Sequence, residues 1–582
     1  MRYVEHLLTL DNHFTVGCPA ETTVALLAEM LNCSERHVKN IMNALHDEQV
    51  LHWATERGRG KKPRLTLLLS KDDVLIAEAR RMVEADRFRE AFSVAGRMSQ
   101  PGKDEFHKWF TNSLGISQKR EKNEELDTLR YSFYETQLIM DPMLIKSRHD
   151  AHMVQQIFDR LLEYDAETGK LLPRIAHHWE TTDGKRWTFY LHKGIYFHHG
   201  RRLTSDDVRN TFERLQNEGG LFPEIRNMTV CHETVIQFDL KWVDYLFPRS
   251  LATERASIIP IEKVKEGDFR QVPVGSGPYL LAYNNENMIQ LHVNPSHFST
   301  RPWLDRIEII KTTAEFERRQ SHPFLLNQLD STWKQVKQNE EGASFVVFNS
   351  VKDGLFQEKD MRKQVLERLS PEHIRNERRN TEFRATSFIT KRSIANQRDS
   401  INEVDEQHFD GMHVKIAVQQ IRPGVNHEKA AKQLQAQLQD IGISAQLDLI
   451  DASTMGSEFC ISTYDLFVGG IALGKDHLIS LMRVVQSAAF PIYPAMPKHI
   501  REKIDEKVKV IRCSREDPFR WNAYFEIEEL LSSEYAILFL SHRFHSVYEP
   551  ENSAFENIKL NSNGRVDYRN VWKKWSGEEG QR

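Results

Sequence analysis

Three groups of residues in this 582-residue chain have types and spacings that could do chemistry. Arg36, Asn40 and Asn43 recur at intervals of four and three. On a helix they share one face, flanked by His37 and Lys39, with Ser34 at its start. Such side chains donate to phosphates and read base edges. Further on, Arg57, Arg59, Lys61, Lys62 and Arg64 stand together without an acid, spaced by Gly58, Gly60 and Pro63. A cationic loop of this kind suits a phosphate backbone, where each neutralised phosphate releases counterions. The formal net charge is −4, so the local cluster carries more information than the total. The third group is the paired histidines His177–His178 and His198–His199, which suggest a metal. No Cys or carboxylate stands at ligand spacing beside them, and adjacent strand residues face opposite ways.

Other chemical motifs are weaker still. The segment GSGPY (Gly275 to Tyr279) lacks the Gly-Lys-Ser/Thr ending of a phosphate loop and reads as a tight turn before a strand. No nucleophile elbow, zinc-protease helix or dinucleotide fingerprint occurs. The expectation is a protein that is not an enzyme and has no metal and no cofactor.

The elements that must position the first two groups can be read from periodicity. Val24, Leu27, Ala28 and Leu31 form one apolar helical face, and Val38, Ile41, Met42 and Leu45 form a second. Ser34 stands where an N-cap would, and only Asn-Cys-Ser separates the helices. This is a helix-turn-helix pattern, with Arg36, Asn40 and Asn43 opposite the buried face of its second helix. "VLHWATE" and "RLTLLL" read as strands, with Trp53, Leu65, Leu67 and Leu69 suited to a half-buried hairpin. The cationic loop is then the tip of that hairpin, the wing of a winged helix. Each part alone also fits a solvated surface, but the combination is much rarer than either part.

The length requires two or more domains, and 40% hydrophobic with 28% charged residues is ordinary for a soluble globular chain. The start has acid and His inside its apolar stretch, unlike a secretory signal, and no run of 18 apolar residues occurs. Five scattered cysteines form no Cys-x-x-Cys pair. These features point to a reducing cytoplasm and no membrane. Residues 72–98 read as one long or two short helices, broken by Ser-Gln-Pro-Gly at 99–102. The polar stretch from Gly115 to Leu126 holds a domain boundary near 120.

From about 125 the texture is mixed α/β. "HMVQQIFDRLLEYD" reads as an amphipathic helix, and "RWTFYLHKGIYF" alternates like a strand. Thr204 or Ser205 can cap a helix with Asp206 and Asp207 in its first turn. "HVKIAVQQ", "NHEKAAKQLQAQLQDIG" and "ISAQLDLID" give strand, helix and strand, a β-α-β unit with parallel pairing.

"GKLLPRIAHHWETTDGKRWTFYLHKGIYFHHGRRLTSDDV" (169–208) resembles the family-5 extracellular solute-binding proteins of the oligopeptide-binding type. "PVGSGPYLL" resembles that family's Gly-Thr-Gly-Pro-Tyr turn, and "FVVFNSVKDGLFQEKDMRKQVLERLSPEHI" and "YDLFVGGIALGKD" resemble its later blocks. With a winged helix in front, the chain resembles the SgrR family of bacterial transcriptional regulators. That resemblance implies a fold class of α/β with an N-terminal, mainly α winged helix-turn-helix. The larger part is implied to be a two-lobed, type II periplasmic-binding-protein-like clamp. The implied division is 1–70 DNA-binding, 71–120 helical connector and 121–582 ligand-sensing.

By the same resemblance, Asp141, Ser276 and Asn349 match cleft-edge positions. The transport members often carry Trp-x-Asp in the second-lobe loop, whose Asp pairs with a peptide's amino terminus. Here Ile471 and Leu473 stand at those places, and Asp476 is nearby but displaced. His199 replaces the Asp of the family's Phe-His-Asp-Gly turn.

The leading expectation is a cytoplasmic, ligand-responsive regulator. It binds double-stranded DNA through Ser34, Arg36, His37, Lys39, Asn40, Asn43 and the Arg57, Arg59, Lys61, Lys62 and Arg64 wing. It senses a small-molecule ligand (sugar, sugar phosphate or peptide-like) near Asp141, Ser276, Asn349 and Asp476. A homodimer is favoured because one winged helix covers few bases. The alternatives are a solute-binding receptor for an ABC transporter and a metal hydrolase using the paired histidines. The ligand, the operator and activation versus repression are not legible in the residues.

Overall fold

Two hydroxyl side chains start the helices of the N-terminal fold. Thr23 accepts from the Leu26 amide at 3.1 Å, and Ser34 accepts from the His37 amide at 3.3 Å. In the computed structural model, which describes residues 4–55, 62–121, 124–133, 138–313, 316, 333–374, 382–395, 409–422, 425–487, 490–550, 555–557 and 566–574, the chain forms two compact units. The first is Met1–Gln137 with Ala282–His292 and Leu304–Ser331. The second is Leu138–Leu281 with Val293–Trp303 and Thr332–Arg582.

The first unit begins with α1 (Val4–Asp11), β1 (Ala20–Glu21), α2 (Val24–Met30), α3 (Glu35–Asp47), β2 (Leu51–Ala54) and β3 (Arg64–Leu67). Leu27, Val38, Ile41, Met42 and Leu45 are buried, as their spacing requires, and Leu7 and Leu10 of α1 close the same core. β2 and β3 pair antiparallel with Trp53 opposite Leu65, and β1 adds a third strand with Ala20 opposite Leu65. Helix α1 and strand β1 are too short for periodicity to announce them. They exist because this small core needs Leu7, Leu10 and a third strand to close it.

The connector consists of α4 (Lys71–Glu84), α5 (Phe88–Ala95) and α6 (Gln100–Thr111). Ser-Gln-Pro-Gly, expected to break the helical stretch, instead opens α6. Ser99 caps it, and Pro101 sits in the first turn, where a missing amide costs no intrahelical bond. Gly102 is needed because a Cβ there would lie 2.5 Å from the Asp72 side chain. The polar stretch from Gly115 to Leu126 carries β4 (Gly115–Glu121) and the start of β5 (Glu124–Phe133), an antiparallel pair at the edge of a five-stranded sheet. Polar side chains suit an edge strand. The sheet continues through Arg306–Lys311, parallel to β5, then Met288–Val293 and Tyr279–Asn284. Phe88, Phe92, Phe106 and Phe110 of the connector pack with Met288, Ile310 and Phe316 of this sheet region and with Leu8 of α1. Arg97 adds a bidentate pair to Glu5, both bonds at 2.8 Å.

In the second unit the helix expected over 152–165 spans Arg148–Ile157 instead, and Leu162–Asp165 turns back as a strand against Lys170–Pro173. The turn closes at Gly169, whose φ of +68° favours glycine. Trp187, Phe189 and Leu191 alternate inward on Arg186–Leu191, in a four-stranded antiparallel sheet. Thr204 and Asp207 form a capping box on the helix Ser205–Asn217.

The two glycines of GSGPY are packing positions. A Cβ on Gly277 would lie 2.5 Å from the Ile157 carbonyl carbon. The His198 ring holds the turn from the other side. Its Nδ1 accepts from the Gly275 amide at 3.3 Å, and its Nε2 donates to the Gly277 carbonyl at 3.0 Å. The Phe-His-x-Gly and Gly-x-Gly-Pro-Tyr segments are therefore one structural unit.

The six-stranded sheet runs Val425–Asn426, Met412–Arg422, Leu466–Ala472, Gly342–Phe348 and Ile537–Phe539, with Ile443–Asp451 also on Met412–Arg422. The expected β-α-β unit is present. Met412–Arg422 and Ile443–Asp451 pair parallel across the helix Glu428–Asp440, whose Ala430, Leu434 and Leu438 are buried. Both sheet faces are covered. Phe345, Val347 and Phe467 belong to one core, and Val346, Phe348, Leu466 and Val468 to the other. That is why these strands read as unbroken apolar runs. Among the described residues no helix is long and apolar enough to cross a membrane.

Candidate ligand cleft and nucleic-acid interface

Helix α3 turns Val38, Ile41, Met42 and Leu45 inward and leaves Arg36, His37, Lys39, Asn40 and Asn43 exposed together. Ser34 is used as the helix cap. Of the basic loop, Arg57, Arg59 and Lys61 lie outside the described residues. Lys62 is exposed, and Arg64 lies 3.6 Å from Glu21 across the β1–β3 pair. Part of the Arg64 charge is thus already matched.

In the second unit a cavity of about 360 Å³ opens between two walls. One wall is formed by Ile145 to His149 and Arg255. The other is formed by strand ends of the six-stranded sheet with flanking segments, including Gly342 to Ser344, Gln419, His427, Asp451, Gly470, Ile471, Arg483 and Arg543. Gly470 lets the wall close up, since a Cβ there would lie 2.7 Å from the His427 ring. Its amide donates to Gln419 Oε1 at 2.8 Å.

Cations outnumber carboxylates here: Lys146, Arg148, Arg255, Arg483 and Arg543 against Glu340 and Asp451. Glu340 is taken by Arg148 at 2.8 Å. The Asp451 carboxyl lies below its ordinary range because Ser453 hydrogen-bonds to it. Arg255 donates to the carbonyls of Met143 at 2.7 Å and Ile145 at 2.5 Å. Burial and the neighbouring Arg483 bring its guanidinium down to about 9. Arg483 is exposed on the cavity side of its helix. His427, buried and near Arg543, is pushed down to about 3 and is neutral.

None of the four ligand residues expected from the sequence lines this cavity. Asp141 is buried and ion-paired with Arg214 at 2.5 Å. Asn349 is fully engaged, donating to the carbonyls of Ile461 at 2.7 Å and Tyr464 at 2.8 Å and accepting from the Val351 and Lys352 amides. Ser276 is buried in the GSGPY turn, with no partner for its hydroxyl among the described residues. Asp476 pairs with Arg249 and caps the helix His477–Gln486.

The loop that carries Trp-x-Asp in the transport members is put to another use. Ile471 lines the cavity and Leu473 is buried, while Lys475 and Asp476 make ion pairs of opposite polarity with Glu163 and Arg249. Burial alone would raise the Glu163 carboxyl, but Arg569, Arg160, Arg174 and Lys475 hold it well below the usual carboxylate range.

The cavity residues Arg255 and Arg543 carried no sequence signal. Arg483 did carry one, as an arginine between Leu481-Met482 and Val484-Val485. The paired histidines do not converge. A register shift between Ala176 and His178 leaves His177 and His178 both exposed, and His199 faces Glu262 at 3.4 Å. Among the described residues no three of His, Cys, Asp and Glu come together as a metal site would need.

A doubly covered six-stranded sheet with a cleft at its strand ends, and a separate antiparallel sheet, define a solute-binding-protein fold, here carried behind a winged helix. The comparisons agree. Residues 170–341 match the family of bacterial extracellular solute-binding proteins, family 5 middle, and residues 2–121 match the sugar transport-related sRNA regulator N-term family. The dipeptide-binding protein of Pseudoalteromonas sp. SM9913, solved with Met-Leu, superposes with a TM-score of 0.59 at 18% identity. It covers 77% of this chain and 100% of its own.

The chain belongs to the SgrR family. It is 30% identical over 372 residues to the HTH-type transcriptional regulator SgrR of Yersinia enterocolitica, covering 64% of this chain and 65% of that protein. It is 30% identical over 407 residues to the SgrR of Pectobacterium atrosepticum, covering 68% of this chain and 67% of that one.

Proposed function

We propose that this protein is a cytoplasmic, ligand-responsive transcriptional regulator. It would bind double-stranded operator DNA through α3 and the β2–β3 wing, as a homodimer, and sense a small metabolite in the cleft of its solute-binding-type part. The functional division is 1–70 for DNA, 71–120 for the connector and 121–582 for sensing. The observation that carries the reading is the exposed row Arg36, Asn40 and Asn43 on a capped helix, followed at once by a hairpin with a basic tip. Kinship with the SgrR regulators supports it.

The packing of the connector adds a route for coupling. Its phenylalanines join α1 to the five-stranded sheet in one continuous core, so the DNA-binding elements are not hung on a loose tether. A sensor works by binding one of two arrangements better than the other, and a packed connector can carry that difference.

The test is gel retardation of promoter-region fragments at low ionic strength, with wild type and with Asn40→Ala. Wild type should retard specific fragments. Asn40→Ala should lose specificity for them by about 1–3 kcal/mol while keeping non-specific binding. No retarded fragment at any salt concentration would remove the reading.

A further inference from the structure

We infer that His6 of α1 is a positioning residue of the nucleic-acid interface, and that through His37 it makes DNA binding take up a proton. This rests on reading α3 as the helix that meets DNA, and it adds a residue and a linkage that the reading does not contain.

The placement follows from the core. His6 stands one residue before Leu7 and His37 one residue before Val38, and both apolar side chains belong to the small N-terminal core. Each histidine therefore comes out at the rim of that core, on neighbouring helices. Their rings meet edge to face, with centroids 6.1 Å apart. His6 is half-buried there, while His37 is exposed beside the exposed Arg36, Lys39 and Asn40. On α1 the neighbouring acid is Glu5, which Arg97 holds through two bonds of 2.8 Å. On α3 Glu35, Arg36 and Lys39 stand within two residues of His37.

Two imidazolium charges this close repel, and a half-buried ring loses hydration when it is charged. Burial first and His37 second hold the His6 ring below its ordinary value, with Glu5 opposing them. His6 thus stays packed and neutral, and its ring discourages a second proton on the pair. A DNA phosphate beside the exposed His37 changes the balance, because a negative charge favours the protonated ring. The pair then holds a proton in the complex at a pH where the free protein has released it. Protons are taken up on binding, so affinity rises as pH falls through that range and levels off at both ends. One proton corresponds to a change in affinity of at most about tenfold per pH unit.

The experiment uses the full-length protein and a mixed-sequence DNA duplex at low, constant ionic strength. Titration calorimetry in buffers of different ionisation enthalpy counts the protons taken up at about pH 6, 7 and 8, where an imidazole changes charge. Wild type should take up protons near neutral pH. His37→Asn should lose most of that uptake. His6→Phe keeps a ring at the rim but removes the competing charge, so the free protein already holds more of the proton. Its uptake should fall near neutral pH, while its affinity at the lowest pH stays close to that of wild type. His6→Gln provides a second variant, and His232→Asn, in the other unit, should behave as wild type. The His46 and His52 rings, 5.4 Å apart, are present in every variant, so differences between variants report on the His6–His37 pair.

Equal proton counts for wild type, His37→Asn and the His6 variants would overturn the inference, as would binding by wild type without any uptake. Affinity lowered equally at every pH by His6→Phe, with an unchanged count, would leave His6 a purely structural residue and also overturn it. No binding of the duplex at any pH would remove the DNA-binding reading itself.

Discussion

Arg249 holds Asp476 with two hydrogen bonds, Nε to Oδ2 at 2.5 Å and Nη2 to Oδ1 at 2.7 Å. The same carboxylate caps the helix His477–Gln486 through the Ile479 amide at 3.1 Å. The guanidinium also reaches Asp517 at 2.7 Å and lies 4.8 Å over the Tyr164 ring. One buried pair thus fixes the start of the helix whose second turn presents Arg483.

Removing the acid should therefore be costly. Asp476→Ala leaves a buried guanidinium half-matched and uncaps the helix, for a loss of about 3–5 kcal/mol. The double change Arg249→Met with Asp476→Asn should recover much of it, since no orphan charge remains. Hydrogen exchange of the amides in His477–Gln486 gives the readout. A single-variant effect below about 1 kcal/mol would show that the pair does not hold this helix.

Two buried histidines set a pH dependence. Burial pushes His198 down to about 4 and His427 down to about 3. Both lie below the ordinary value, so in the range between, the unfolded chain binds more protons than the folded one. Stability is then full above about pH 6.5 and falls as pH drops, by about 1.4 kcal/mol per pH unit for each ring. Denaturant unfolding from pH 7 to pH 4 should follow that slope. The two ring resonances should not titrate between pH 5 and 8, and titration of either near 6.5 would contradict its burial.

The glycines of GSGPY should tolerate nothing larger. Gly277→Ala drives a methyl into the Ile157 carbonyl and displaces the turn from His198, with an expected loss of about 2 kcal/mol or more. A stable Gly277→Ala protein with an unchanged melting midpoint would mean that the turn can move away.

The wing is tested by salt. Replacing Arg59, Lys61 and Lys62 together by Ala should lower the slope of log affinity for DNA against log salt by about 0.9 for each phosphate that is no longer neutralised. Arg64→Ala should change it less, because Glu21 already lies beside that charge. An unaltered slope in the triple variant would take the wing out of the DNA interface.

Periodicity sufficed for α2, α3 and the hairpin, because each buries one regular face in a small local core. The same holds for the β-α-β unit, where Ala430, Leu434 and Leu438 mark the helix and the flanking apolar runs mark the strands. Where helical periodicity competes with a partner outside the segment it misleads. Leu162–Asp165 extends a helical pattern yet becomes a strand, since Lys170–Pro173 supplies the partner. Ser-Gln-Pro-Gly resembles a break yet starts α6, because Asp72 holds Ser99.

The cleft was the least legible part. Asp141, Asn349 and Asp476 have the types of ligand residues, and only their tertiary partners Arg214, Ile461, Tyr464 and Arg249 show that these groups are engaged elsewhere. Arg255 stands more than two hundred residues before Arg483 and Arg543, so no local pattern could join them. Sequence by itself determined α2, α3, the hairpin strands and the β-α-β unit, because those follow from spacing within one turn or one pleat. Which charges are matched and which face an open cavity was decided only by the folded chain, because a charge's partner is set by distance in space.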